Sequence, residues 1–414
     1  MRIALAMANA RVTGGAESYT DSIIPLLHEA GHQIALICEY DAPRNRARIN
    51  TVPSSPLWLV NESGSESALQ ELRRWQPAVI FSQCMPSVEL EMWLHAIAPT
   101  VNFVHNYYGL CISESKMFSF PVPLICNRPL GKLCFAHFYP HRCGGLNPLT
   151  MLRDYRHQTA RLRILRSSHA IVTASEHVRL ELLRHGLAPD IVHTVGLPVV
   201  DSITTHPVKR NYDLDGLDSE DDGHAILPHR VIFVGRMEKP KGASLLIDAA
   251  IKASGLLKRR LTLTFAGDGR ERAALEGQVR NLGDRDPSVD ITFAGWLERE
   301  RLCALIDRSD LLAMPSLWPE PFGQVGVEAG LRGLPAVAFD GGGIAEWLED
   351  GVNGRLVRSR PPTANAFALA LADCLGDPAN HSRLRRGARS LALRFSPQTH
   401  LAKLTTVLHI ASRE

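Results

Sequence analysis

No run in the 414-residue sequence approaches the ~18 apolar residues that a membrane-spanning helix requires. Met1 leads straight into the strand-like RIALAMA, and no small-residue cleavage site follows it. Both absences predict a cytoplasmic protein. Charge of one sign is lacking too: the formal net charge of +3 is too small to argue for a nucleic-acid partner. Eight cysteines are far below the density of a disulfide scaffold, so a reducing compartment is compatible with the count. No GxGxxG follows a strand and no acidic residue stands at the offset a dinucleotide ribose needs, which argues against a dehydrogenase. No DxD metal motif stands at a strand end: Asp213 and Asp215 have the letters but sit in an acidic, turn-rich stretch.

What is present is the composition of a globular enzyme, 45% hydrophobic and 21% charged. The length suits two domains of about 200 residues each. Short β-branched runs (RIALAMA, QIALICE, AVIFS, TVNFVH, AIVTAS) alternate with helical patterns, which predicts βαβ units and a parallel sheet. The rhythm stops over 201–229, read as an acidic linker or surface loop, and resumes with RVIFVGR, LTLTFAGDG, DITFAGWL, DLLAMPS and PAVAFDGGG. A second domain of the same kind follows. Ligands of such sheets lie at the carboxyl ends of the strands, so two of them face to face make a cleft.

In VGRMEKPKG a strand ends at Gly235, Arg236 follows, and Lys241 stands just before Gly242 and the next helix. Two cations at a strand end beside a helix N-terminus make a natural diphosphate site, because the helix dipole and free amides add to the side-chain charges. Downstream, SLWPEPFGQVGVEAGLRGLP sets Glu320 and Glu328 eight positions apart, with Gly323 and Gln324 opening a helix between them. Carboxylates accept from paired vicinal hydroxyls, so one suits a sugar and the other a ribose. Gly14 and Gly15 follow the first strand, where a phosphate or acceptor group can approach the backbone.

Taken jointly, GGAES, VHN at 104–106, VGRMEKPKG, AGDG, GWL, the Glu-x7-Glu segment and GGGIAEWLEDGVNGRLV resemble the retaining glycosyltransferases of family 4 over nearly the whole chain. The resemblance implies the GT-B architecture, α/β, with two facing Rossmann-like doubly wound parallel-sheet domains. It implies an acceptor-side domain over 1–200, a donor domain over 230–396 and a C-terminal helix over 397–414 crossing back to the first domain. It further implies metal-independent transfer from a nucleoside-diphosphate sugar with retention, UDP-sugars being favoured and GDP-sugars the second choice. Acceptors would be a glycan, a lipid-linked sugar or a small molecule, in polysaccharide or other glycoconjugate synthesis.

By the same resemblance Arg236 and Lys241 neutralise the donor diphosphate, Glu320 and His105 stand at the transferred sugar, and Glu328 binds ribose. Phe322, Gly323, Gln324 and Val325 offer backbone amides to sugar and phosphate. Gly267, Gly269, Trp296 and Leu297 line the nucleoside pocket, and Gly14 and Gly15 line the cleft opposite the donor. Rival readings are a sugar-nucleotide epimerase on the same architecture and a non-catalytic nucleotide-sugar-binding protein.

Two features stand outside that set. Cys111, Cys126, Cys134 and Cys143 crowd, with His137 and His141, into an insertion at about 106–150. Their spacing lacks the CxxC pairs of a strong zinc site, so a structural zinc or iron–sulfur site, disulfides, and free thiols all stay open. The helical 151–168 carries Arg153, Arg156, Arg161, Arg163 and Arg166, which suits either an ordinary solvated helix or contact with an anionic inner membrane face.

Overall fold

The computed structural model describes residues 1–43, 46–52, 55–199, 229–282 and 288–413. Fifteen strands are named here in chain order. The first group is β1 (Arg2–Asn9), β2 (Gln33–Tyr40), β3 (Leu57–Leu59), β4 (Val79–Ser82), β5 (Thr100–Val104), β6 (Met117–Phe118), β7 (Leu124–Ile125), β8 (Ala170–Thr173) and β9 (Val192–Thr194). The second is β10 (His229–Val234), β11 (Leu261–Ala266), β12 (Val289–Gly295), β13 (Leu311–Met314), β14 (Ala336–Phe339) and β15 (Gly354–Val357).

Two parallel sheets result, ordered β3-β2-β1-β4-β5-β8-β9 and β12-β11-β10-β13-β14-β15. Each reverses its winding once, between β1 and β4 in the first sheet and between β10 and β13 in the second, and the crevice for a ligand opens at such a switch point. The chain therefore has two Rossmann-like domains. Strand β1 shows why: Ile3 through Met7 are buried on both faces, as a central strand covered by helices on each side must be. The helix Gly15–Glu29 turns Tyr19, Ile23, Ile24 and Leu27 onto it at helical spacing.

The residues 201–228, most of the acidic stretch including Asp213 and Asp215, lie outside the described residues, and His229 already begins β10. At the other end of the chain the helix Pro397–Ala411 packs on the first sheet's side. His400 sits between the Tyr19 hydroxyl (3.0 Å) and the Gly196 carbonyl (2.8 Å), with Leu404 and Leu408 buried beside it. Phe395, just before this helix, meets Phe322 of the second domain edge-on at 5.4 Å.

The insertion between β5 and β8 holds the two-stranded β6–β7 hairpin, a short helix Leu133–Phe138 and a long helix Pro148–Arg166. Buried ions fasten it. Lys116 pairs with Glu181 at 2.8 Å, each side chain 1% exposed, and donates to the Arg128 carbonyl at 2.6 Å. Arg161, equally buried, reaches Glu91 at 3.4 Å and the Met85 and Pro86 carbonyls. Removing either partner of a buried ion pair leaves an uncompensated charge and costs about 3–5 kcal/mol.

These contacts correct the expectation that the whole of 151–168 presents arginines to a lipid surface. Arg161 points into the core and Arg166 donates to the His185 carbonyl at 2.8 Å. Spacing alone counted the arginines without the acid on another helix that claims one of them.

Candidate functional site

Lys241 ends the turn Lys239–Lys241 that follows β10, and Gly242 fixes where its side chain goes. Gly242 adopts φ +69°, and a Cβ there would stand 2.0 Å from the Pro315 carbonyl oxygen. Only glycine permits so close an approach, and the Leu317 amide seals it by donating to the Pro240 carbonyl at 2.7 Å. Lys241 is thereby laid against the segment after β13.

There it meets Glu320. One carboxylate oxygen, Oε1, accepts from Lys241 Nζ (2.6 Å), Ser316 Oγ (2.5 Å) and Trp318 Nε1 (2.9 Å). The Lys241 ammonium also lies 5.2 Å from the Trp318 ring centre. Burial pushes the Glu320 carboxyl up, but the Lys241 charge and the three donors outweigh it and hold the group below its ordinary range. Glu320 is therefore a carboxylate at neutral pH with one oxygen saturated. The loop of Gly342 and Gly343 closes on its backbone, the Gly343 amide donating to the Glu320 carbonyl at 2.6 Å.

Phe322 is buried and its carbonyl accepts from Trp347 Nε1 at 2.7 Å. Gly323, at φ +84°, caps the helix Gln324–Leu331. The leading amides of a helix, here those of Gln324 and Val325, have no intrahelical acceptor and carry the positive end of the dipole. Arg236 stands exposed, and among the described residues its guanidinium has no hydrogen-bond or ion-pair partner. Lys241, Glu320 and this helix start thus lie along the segments leaving β10 and β13, the two strands that flank the switch point.

A second part of the crevice is a cavity of about 410 Å³ between the domains. Trp296, Leu297, Arg299 and Glu328 border it from one side, and Val12, Ser18, Asp21 and Arg46 from the other. The Arg46 guanidinium lies over the Trp296 ring, 4.2 Å from its centre, across the cleft. Burial raises the Glu328 carboxyl, with Arg299 partly offsetting it.

Gly267 and Gly269 lie under Gly235 and Met237. A Cβ on Gly267 would come to 2.1 Å of the Gly235 oxygen, and one on Gly269 to 2.4 Å of the Met237 oxygen. Their bareness is required by the interlocking of two loops, in which the Met237 amide donates to the Asp268 carbonyl at 2.8 Å.

On the facing domain, Gly14 precedes the helix Gly15–Glu29, but its amide and that of Glu17 are covered by Glu17's own carboxylate, which burial raises and these amides lower. His105, just past β5, bonds Gln83 at 2.6 Å and lies against Phe103 with ring centres 4.1 Å apart and the rings tilted by 36°. Burial drives its pKa down to about 3, so it is a neutral imidazole near pH 7.

The domains also touch directly at the segment that carries Glu320. The Tyr107 hydroxyl donates to the Pro319 carbonyl at 2.8 Å and Ser175 Oγ to the Pro321 carbonyl at 2.5 Å. Neither residue was singled out in the sequence, nor were Ser316, Trp318 or Arg46. Trp318 had a visible signal in standing two residues before Glu320, whereas a cross-domain partner has none.

The thiols of Cys111, Cys126, Cys134 and Cys143 gather in the insertion, where burial and then the neighbouring thiols push Cys143 up to about 12. Among the described residues no group of three His, Cys, Asp or Glu side chains is placed to hold a metal ion. Buried ion pairs fasten the insertion.

Two family models match the chain, Glycosyltransferase Family 4 over residues 13–201 and Glycosyl transferases group 1 over residues 223–391. The chain belongs to the family-4 type of glycosyltransferases with the GT-B fold. Among relatives, it is 35% identical to the glycogen synthase of Mycobacterium tuberculosis over 191 residues, 45% of this chain and 43% of that protein. It is 31% identical to the D-inositol 3-phosphate glycosyltransferase of Xylanimonas cellulosilytica over 237 residues, 56% of this chain and 55% of that one. The chain thus spans about half the length of the curated relatives it matches.

Among solved structures, Anabaena HepE in complex with UDP superposes with a TM-score of 0.67 at 20% identity, covering 99% of this chain and 100% of that one. The sucrose-phosphate synthase of Thermosynechococcus elongatus gives 0.66 at 18%, covering 99% and 98%. Both carry the same two-domain fold.

Proposed function

We propose that the chain transfers a sugar from a nucleoside-diphosphate sugar to an acceptor with retention of anomeric configuration. The observation that carries this is the Lys241–Glu320 pair beside the glycine-capped start of the helix Gln324–Leu331. It puts a cation and a carboxylate ionised at neutral pH next to amides oriented for an anion. Lys241, Arg236 and those amides would hold the two phosphates. As the bond from the anomeric carbon to the phosphate oxygen breaks, negative charge grows on the leaving diphosphate, and fixed cations there lower the barrier.

In this reading a new bond forms from the acceptor oxygen to the same face of the anomeric carbon, and the acceptor's proton passes to the departing phosphate. Glu320 would accept a sugar hydroxyl on Oε2, since Oε1 already has three donors. His105, neutral, would serve as a hydrogen-bonding partner of the sugar and not as a cation. The nucleoside would enter the cavity with its base at Trp296 and its ribose at Glu328. The UDP held by Anabaena HepE supports UDP as the nucleotide.

Thermal unfolding in the presence of UDP, GDP and their sugars tests the proposal. Saturation at about a hundred times Kd stabilises the native state by about 2.7 kcal/mol. Stabilisation by UDP-sugars with loss of the effect in Lys241→Met is the expected result. The absence of any shift with every nucleoside diphosphate would refute it.

A further inference from the structure

We propose that the outer rim of the insertion docks on an anionic lipid bilayer. The most exposed large apolar side chains of the described residues are Leu146 (77%), Leu149 (75%) and Leu133 (70%), all within this one insertion. Leu149 and Leu152 share a face of the helix Pro148–Arg166 with Arg153 and Arg156, at positions i, i+3, i+4 and i+7. The opposite face carries Met151, Gln158, Arg161, Leu162 and Leu165 into the protein. The short helix bearing Leu133 is fixed alongside, Phe135 packing on Tyr155 at 4.6 Å.

Charge decides what this apolar rim meets. Between 120 and 160 the cations Arg128, Lys132, Arg142, Arg153 and Arg156 are exposed, and the one carboxylate in that span, Asp154, is tied to its neighbour Arg153 at 3.0 Å. Leucines that insert among acyl chains, with arginines beside them reaching back to phosphates, are the composition of a surface lying in the bilayer interface. Arg153 and Arg156 are the exposed cations beside the leucines at the start of the helix, and Arg163 is exposed further along it, whereas Arg161 and Arg166 are engaged by protein. The same insertion reaches the cleft: Phe118, Leu124 and Ile125 of its hairpin line a cavity of about 440 Å³ with Trp318 and Gly342. The insertion that meets the bilayer is thus the one that borders that cavity. The docking itself does not depend on the transfer reaction.

Vesicle sedimentation of the full chain tests it, with phosphatidylcholine alone and with added phosphatidylglycerol. Binding to the anionic vesicles and its decline with salt are expected. Each cation near an anionic surface changes partitioning roughly five-fold, so Arg153→Ser with Arg156→Ser weakens binding about 30-fold. Leu146→Ser with Leu149→Ser weakens it as well. All four side chains are exposed, so both double variants melt as the parent does. Equal binding to neutral and anionic vesicles overturns the proposal, as does binding that neither double variant changes. A parent dimer that becomes monomeric in the leucine variant also overturns it, by assigning the rim to a second copy of the chain.

Discussion

Deleting the Lys241 ammonium isolates the electrostatics on which the site rests. Lys241→Met keeps the apolar stem and leaves Glu320, 4% exposed, with Ser316 and Trp318 as its remaining donors. Removing one partner of a fully buried pair costs about 3–5 kcal/mol, and the Lys241 side chain is 22% exposed, so water screens part of that and about 2–3 kcal/mol is expected. For a domain of this size that lowers Tm by on the order of 5–10 °C. Adding Glu320→Gln removes the orphaned charge and keeps an acceptor. The double variant should therefore recover about 1–2 kcal/mol, well beyond the few tenths by which independent sites deviate from additivity.

The same perturbation reverses a pH dependence. In the parent, Glu320 lies below its unfolded value, so its contribution is present above about pH 4.5 and is lost as pH falls through the folded value. Without Lys241, burial dominates and the folded value rises above the unfolded one. The native state then holds a proton that the unfolded state releases, and stability falls as pH rises. Urea unfolding of Lys241→Met near pH 5 and near pH 8 reads this directly, with greater destabilisation at the higher pH. A strictly additive cycle together with equal loss at both pH values would refute the account of this pair.

Other expectations follow from single contacts. Gly242→Ala forces a Cβ into the Pro315 carbonyl and a left-handed φ worth about 1–2 kcal/mol on an L-residue, so thermal melting should fall and nucleotide stabilisation with it. Gly15→Ala meets no atom within 4 Å, so the fold should melt unchanged or slightly higher. Tyr107→Phe leaves the buried Pro319 carbonyl without its donor, for a loss of about 1–3 kcal/mol in denaturant unfolding. Burial lowers His400 and His95 to about 4, so the unfolded state binds more protons between about pH 6.5 and 4 and stability should fall as pH drops through that window, less steeply in His400→Gln.

The strand pattern made the two sheets legible because buried parallel strands are nearly continuous apolar runs, as Ile3 to Met7 show. Arg236, Lys241 and Glu320 stood out because each follows a strand or precedes a helix, and Glu328 because it stands eight positions after Glu320. Reasons were less legible than positions. Gly267 and Gly269 were singled out as ligand-lining, and their local requirement is to let two backbone loops touch. The insertion's cysteines drew attention, but the pairing of Lys116 and Arg161 with Glu181 and Glu91, residues far away in sequence, did not. A pairing between distant helices leaves no periodic trace, so no reading of spacing finds it.

The contacts across the cleft tie the pieces together. Glu320 is oriented by Lys241, Ser316 and Trp318 from its own domain, while the residues on either side of it, Pro319 and Pro321, have their carbonyls held by Tyr107 and Ser175 of the other. Tyr107 also meets the Trp318 ring edge-on at 6.0 Å. The carboxylate's position thus depends on both domains being in place. A hinge opening that separated Tyr107 from Pro319 would loosen the segment bearing Glu320 and leave Lys241 on its own loop.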